Sequence, residues 1–545
     1  MMASLRQTLY HSCRALTLDP RTPVADAVLV EGNRIAAVGR ISEVRGQASD
    51  SAKIIDLEGQ MLMPGIVDSH NHLPTAGKMM KDGVLLFDAF SIDDVKRKVG
   101  EKAKALAPGT WLVGGGWIES SFSDKRLPNR WDLDEVAPDN PVVLYRLFGM
   151  VVANSKALEA AGIDASSPDP EKGQIDRNPE TKEPTGILRD WAVNAVRSVI
   201  PDEEGGLEDQ MEAIVHAGRE YLRYGITSVI DPGVGPETMR AYHWLYRKGQ
   251  LPLRVHMMPV WHGLFYHDGA DLVERLDHLG FCSGFGDAWL RIGALKMAID
   301  GGLGSQTAML NEAYLDPRKA REVIRLDLER LQDYMYEGLN RGWSIGIHCC
   351  GGRAQDLAME AFAGAMKRLP KRDYPEFRND IIHGYFPSGK ALDMMKELGV
   401  SVSLQPTFTY VEGDIYPDAL PMESLERFKP VKSYRQHGIV VAANSDMTSS
   451  HYNPFWGIYA ALTRKTRTGL QLGTAEVLDR TSTLEMFTAA GAYLSFEENI
   501  KGRLIPGYLA DLAVVDTDLL EADPEDILEA KVTMTVLDGE VVFER

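Results

Sequence analysis

The residues of this chain that could do chemistry fall in short clusters at the ends of apolar runs. The first is Asp68-Ser69-His70-Asn71-His72, which follows an apolar stretch and a Pro64-Gly65 break. Side chains on a strand alternate faces, so His70 and His72, two apart, point the same way. Two imidazoles converging from one strand end can chelate a divalent cation of the zinc type. The bland alternative is two structural histidines in chance alternation, and an isolated His-x-His is weak evidence. Further clusters strengthen it. Ser344–His348 (SIGIH) ends in His348, with Cys350 on the same face and Cys349 on the other. IIHGYF sets His383 at another strand end, ANSDM sets Asp446 after an apolar run, and Lys296 lies within Leu290–Asp300. Taken singly, each is more often a buried residue satisfied by backbone. Together, four histidines and one aspartate match a mono- or dinuclear zinc hydrolase site. A divalent metal lowers the pKa of a coordinated water from about 15.7 towards about 7. A carboxylate such as Asp446 can take the proton from that water and hand it to the leaving group.

Elements must bring these clusters together. The strand candidates are Gly65–His70, Gly225–Asp231, Leu253–Val260, Leu290–Asp300, Ser344–His348, Asp380–His383, Gly399–Gln405 and Ile439–Asp446, with helical patterns between them such as Leu207–Tyr224, Asp327–Arg341, Ala354–Arg368 and Ser388–Leu398. Eight strands alternating with helices is what an α/β, (β/α)8 TIM-type barrel needs, and such barrels carry reactive residues at the C-terminal strand ends. The expected barrel occupies 63–499. Short strands with Gly-Asn and Asp-Gly turn signals at both chain ends predict a small β-sandwich domain from 1–62 and 500–545. The interval 74–205 is too long for one βα connection, so it is expected to be an inserted α/β subdomain after the first barrel strand.

Bulk properties narrow the function. The chain has 545 residues, 44% apolar and 25% charged, as an ordinary globular protein of two or three domains does. The net charge of −19 argues against nucleic acid as a partner. No apolar run is long enough for a membrane span, and the N-terminus lacks signal-peptide features. Cys13, Cys282, Cys349 and Cys350 form no CxxC pair, which fits a reducing compartment, so cytoplasm is the expectation. Gly301–Ser305 (GGLGS) is no phosphate loop, since it lacks the Lys-Ser/Thr ending. The stretch Trp261–His267, with His262, could line the mouth after strand three, and Trp117 from WLVGGGW falls in a similar loop position; simple loop packing is the commoner explanation of both.

At this point the sequence resembles the amidohydrolase superfamily, and within it the YtcJ-like branch (the amidohydrolase 3 family, which includes N-substituted formamide deformylases). The segments that carry the resemblance are PGIVDSHNHL at Pro64–Leu73, VVANSKALEAAGI at Val151–Ile163, PTGILRD at Pro184–Asp190 and YGITSVIDPG at Tyr224–Gly233. LKMAIDGGLGSQTA at Leu295–Ala308, HCCGGRA at His348–Ala354, NSDM at Asn444–Met447 and KGRLIPGYLADLAVVD at Lys501–Asp516 continue it. The resemblance implies His70 and His72 on a first metal, His348 and His383 on a second, and Asp446 as the strand-eight ligand and general acid/base. Lys296 matches the position where relatives carry a lysine carbamate bridging two metals; a structural lysine paired with Asp300 or a neighbour is the alternative. Three departures stand out: Phe148-Gly149-Met150 in place of Asp-Gly-His, Gly351-Gly352-Arg353 in place of Gly-Asp-Arg, and Ser305-Gln306-Thr307-Ala308 in place of Ser-Arg-Thr-Ala. They predict a less polar pocket; the substrate contacts expected from all these segments are Trp117, Met150, His262, Gln306 and Arg353.

The expected function is therefore metal-dependent hydrolysis of a C–N bond in a small molecule, a linear amide or an N-acyl or N-formyl compound. Zinc is the first expectation, as one or two ions, although iron, manganese or cobalt suit similar ligands. A homodimer is compatible with the fold. Competing readings are a cyclic amidase or deaminase, a lactone or ester hydrolase, a metal-dependent isomerase, and a non-catalytic ligand-binding homologue.

Overall fold

A computed structural model describes residues 6–545 apart from 24, 120–121, 125, 147–149, 172, 202–205, 261–271, 318–319, 321, 323–327 and 370–376. The chain divides into two compact units, one of Met1–Leu73, Gly218–Asp446 and Tyr452–Arg545, the other of Pro74–Ala217 and Met447–His451. The second unit runs past the expected boundary at 205, taking in the first part of the helix Leu207–Leu222.

In the first unit, both chain ends build one eight-stranded sheet. Its order is Glu540–Glu544, Val532–Leu537, Leu512–Val515, Met61–Pro64, Gln7–Ala15, Ala25–Glu31 and Arg34–Gly39, with Lys53–Asp56 also on Gln7–Ala15. The alternating apolar residues of both ends share a core that includes Tyr10, Val28, Leu62, Leu512, Val514 and Val536. The Asp538-Gly539 turn has positive φ at both positions, +54° and +83°, which fits the twist of a two-residue hairpin. Glycine is required there, because a Cβ on Gly539 would stand 2.0 Å from the Gly32 carbonyl oxygen of the other hairpin tip.

The site-bearing strands are all parallel. Ile66–Asp68, Ile226–Val234, Arg254–Pro259 and Leu290–Ile292 form a four-stranded sheet. Leu295–Ala298, Ile345–Cys349, Asp380–His383, Ser401–Leu404 and Val441–Ala443 form a five-stranded one. The single strand expected over Leu290–Asp300 is thus two short strands in different sheets, a correction to the sequence reading. The break is steric. At Gly293 a Cβ would meet the His256 ring at 2.3 Å, and the Gly293 N–H donates to Met257 O at 2.6 Å. Beyond it, a parallel bridge between Val260 and Lys296 joins the two sheets. Parallel neighbours need crossover connections, and the helices Leu328–Asn340, Gly352–Arg368 and Gly389–Leu398 supply them. The last shows why its bounds were legible: the Ser388 side chain accepts from the Ala391 N–H, and Gly399 ends the helix at φ +67°.

The second unit carries its own six-stranded sheet, in the order Gly173–Arg177, Pro184–Asp190, Met150–Ala153, Val142–Arg146, Leu112–Trp117 and Val84–Leu85. Its apolar core includes Leu86, Trp117, Leu133, Leu144 and Met150. Among the described residues, no helix is long and apolar enough to cross a membrane.

Candidate metal centre

The strand Ile66–Asp68 ends against the strand Val441–Ala443, and polar bonds between their ends set the geometry of the site. The Asp68 carboxylate accepts from the Ser445 N–H at 3.0 Å, the Ser445 hydroxyl at 2.6 Å and the Asn71 amide at 2.9 Å. The Tyr221 hydroxyl donates to Asn71 at 2.8 Å. Burial pushes the Asp68 carboxyl up to about 6 although these donors pull it down. Neighbouring backbone completes the join: the Asp446 N–H donates to the His70 carbonyl at 2.9 Å.

His70, His72 and Asp446 form one cluster of possible ligands. Asp446 Oδ1 lies 3.8 Å from His70 Nε2 and 3.5 Å from His72 Nε2. Its other oxygen, Oδ2, lies 4.0 Å from His383 Nε2. Lys296, from the strand Leu295–Ala298, places Nζ 3.4 Å from His70 Nε2. Burial lowers the Lys296 ammonium to about 8, against the pull of Asp446 and Asp380. The structural alternative for Lys296 was pairing with Asp300 or a neighbour, and the carboxylates that act on it are Asp446 and Asp380. The Asp300 carboxylate instead accepts from the N–H groups of Met309 at 2.9 Å, Cys350 at 2.9 Å and Gly351 at 2.8 Å, which fixes the turn after the strand Ile345–Cys349.

His348, Cys350 and His383 form a second cluster. His348 Nδ1 lies 2.7 Å from His383 Nε2, and His348 Nε2 lies 3.2 Å from the Gly301 carbonyl. Gln405 Oε1, 2.9 Å from His383 Nδ1, holds the proton on that nitrogen and turns the Nε2 lone pair towards the cluster. His383 and Asp446 both sit at positive φ, +81° and +49°, a region that non-glycine residues enter rarely and at a cost.

These residues fit a divalent cation. Burial holds His70 and His383 well below the usual histidine range, so both keep neutral lone pairs; Lys296 adds to this for His70, and His348 for His383. Among the described residues, His70 Nδ1 is buried without a hydrogen-bond partner. Ligands bound tetrahedrally to zinc at about 2.0–2.3 Å stand about 3.3–3.6 Å from one another, close to the separations around Asp446. A histidine-rich set with one carboxylate suits zinc and neighbouring first-row ions.

The other expected contacts have these surroundings. Trp117 is fully buried in the core of the second unit, its indole donating to Leu144 O at 3.3 Å. Met150, in the same unit, lines a cavity of about 390 Å³ with Gly115, Gly116, Tyr145, Arg146, Thr448 and Ser449. Arg353 is half-exposed and bonds Glu322 at 2.6 Å. Gln306 has φ +53° and a buried Oε1 that has no partner among the described residues. His262 lies outside the described residues. Gly352 has a steric reason to be glycine: a Cβ would stand 2.5 Å from Phe386 O and 2.9 Å from Asn311 Nδ2. Sequence reasoning missed the supporting roles of Asp68, Asp300 and Gln405. Their only sequence signal is a polar residue beside a strand end.

The amidohydrolase family model matches residues 53–543. The chain is 28% identical to the protein YtcJ of Bacillus subtilis (strain 168) over 99% of this chain and 100% of that one. It is also 28% identical to N-substituted formamide deformylase of Arthrobacter pascens, over 100% of this chain and 99% of that one. Among solved structures, an uncharacterized metal-dependent hydrolase from Pyrococcus horikoshii OT3 superposes with a TM-score of 0.71 at 23% identity, covering 95% of this chain and 99% of that one. A second, from Pyrococcus furiosus, gives 0.69 at 25%, covering 94% and 100%. On this evidence the chain belongs to the amidohydrolase family and is a hydrolase acting on carbon–nitrogen bonds.

Proposed function

We propose that this enzyme hydrolyses a linear amide, an N-acyl or N-formyl compound, at a two-metal centre inside a closed (β/α)8 barrel. The observation that carries the reading is the position of Asp446, whose two carboxylate oxygens face His70 and His72 on one side and His383 on the other. His70, His72 and Asp446 would hold one ion and His348 and His383 a second, and Lys296, whose Nζ lies 3.4 Å from His70 Nε2, would add a donor as its carbamate. When bound, divalent cations there supply Lewis acidity, which polarises the amide carbonyl and acidifies water. Asp446 takes the proton from the attacking water and delivers it to the departing nitrogen. Gln405 keeps His383 in the tautomer that can bind. Gln306, whose buried Oε1 has no hydrogen-bond partner among the described residues, is the proposed substrate contact.

The likeness to N-substituted formamide deformylase along the whole chain supports the choice of substrate class. The four cysteines are free thiols, as suits the cytoplasm. A panel of N-formyl and N-acyl amines, assayed for release of the amine with wild type and Asp446→Asn, tests the proposal. Release by wild type and its loss in the variant are expected. Turnover of lactones or cyclic amides alone would redirect the substrate class.

A further inference from the structure

Cys350 lies two residues beyond His348 and is 2% exposed. Its Sγ stands 3.5 Å from His348 Nε2, and ligand atoms of His348, Cys350 and His383 all lie within 4.8 Å of one another. A sulfur and an imidazole nitrogen that share one tetrahedral ion, at about 2.3 and 2.0–2.1 Å from it, stand about 3.5 Å apart. The Cys350–His348 separation therefore matches that of two ligands on one ion, whereas His348 Nδ1 and His383 Nε2, 2.7 Å apart, are at hydrogen-bond distance and must part by under about 1 Å to share one. The backbone that aims this sulfur is rigidly set. The Cys350 and Gly351 N–H groups both donate to the buried Asp300 carboxylate, and a Cβ on Gly351 would meet Met309 O at 1.9 Å. The alternative is a small apolar filler, since Cys350 also packs in the cluster that contains Leu303, Tyr385 and Phe408.

We propose that Cys350 is a thiolate ligand of the second half-site, beside His348 and His383, and that it selects zinc-type and softer divalent ions there over magnesium and manganese. This rests on the two-metal reading above and adds a donor to it. On binding, the S–H bond breaks, a sulfur–metal bond forms, and the thiol proton leaves to solvent. The first half-site offers nitrogen and oxygen donors, His70, His72 and Asp446, so the two halves differ in softness and need not hold the same metal. Cys349, which alternates to the opposite face of its strand, takes no part.

The test is titration of the metal-free full-length chain with Co2+, read by absorption. Wild type is expected to develop visible ligand-field bands together with a near-ultraviolet sulfur-to-cobalt charge-transfer band. Cys350→Ser should keep ligand-field bands and lose the charge-transfer band, and Cys349→Ser should keep both. X-ray absorption of the zinc-loaded wild type, which needs no variant, should find a sulfur neighbour at about 2.3 Å. Ligand-field bands without the sulfur signals in wild type, or a charge-transfer band that survives in Cys350→Ser, overturn the thiolate alone. Absence of every cobalt band overturns the two-metal reading along with it.

Discussion

The backbone N–H of Asp446 donates to the carbonyl oxygen of His70 at 2.9 Å, so the proposed proton carrier and the first proposed ligand ride on one hydrogen bond. Asp446 holds φ +49° to do this, a conformation that costs of order 1–3 kcal/mol and persists at sites where geometry matters more than stability. Asparagine tolerates that backbone region better than most residues and matches the shape of aspartate. Asp446→Asn should therefore fold like wild type by circular dichroism while kcat falls on the order of 10²–10⁴-fold, the scale of lost general acid–base catalysis. Unchanged kcat would remove Asp446 from the chemistry.

Gln405 is argued to act through His383, as a positioning residue. Gln405→Ala removes the acceptor at 2.9 Å from His383 Nδ1 and should weaken metal affinity roughly 10–100-fold. Competition with a chromophoric chelator measures this, and Gln405→Glu, which restores an acceptor, should recover most of it. Equal affinity in all three chains would show that Gln405 only packs.

The turn that carries Cys350 and Gly352 is set by close packing. Gly351 has φ −81°, which any residue adopts, so Gly351→Ala tests steric fit alone. A Cβ there would stand 1.9 Å from Met309 O, a backbone atom that cannot swing aside. Overpacking of this kind costs about 1–3 kcal/mol, visible as a lowered midpoint in urea unfolding. A midpoint equal to wild type would mean that the turn is looser than described.

His256 sets a pH dependence remote from the metal cluster. It is buried beside the positive charges of Lys501 and Arg291, and burial first, with those charges adding, lowers it to about 3. Below about 6.5 the unfolded chain protonates this histidine and the native chain does not, so the unfolded state binds more protons and stability falls as pH drops. Above that value its contribution is constant. The expected slope between about pH 6 and 4 is up to about 1.4 kcal/mol per unit from this residue. His256→Asn should flatten the curve in that window, and a parallel curve would contradict the assignment.

Much of this architecture was legible because it rests on local signals. The His70-x-His72 pair, the Ser388 cap with Gly399, and the Asp538-Gly539 turn each need only a few adjacent residues. The pairing of both chain ends followed from matching alternation at Ala27–Glu31 and Ala510–Asp516. What escaped was tertiary. The split of Leu290–Asp300 at Gly293 depends on the His256 ring lying against it, a neighbour 37 positions away in the sequence. The role of Asp300 in gathering the N–H groups of Met309, Cys350 and Gly351 joins three residues that no local pattern connects to it. Trp117 was expected near substrate from an apparent loop position, yet it ends the strand Leu112–Trp117 and fills the core of its own unit. Positive φ at His383 and Asp446 has no sequence signature, since neither residue is a glycine.

The central claim is that the strand ends gather two metal half-sites around Asp446. Elemental analysis of protein grown in metal-replete medium, beside His70→Ala and His383→Ala variants, tests it most directly. About two divalent ions per chain are expected in wild type, with a loss in each variant, as for a two-metal site. Metal content near zero in wild type, or unchanged in both variants, would contradict it.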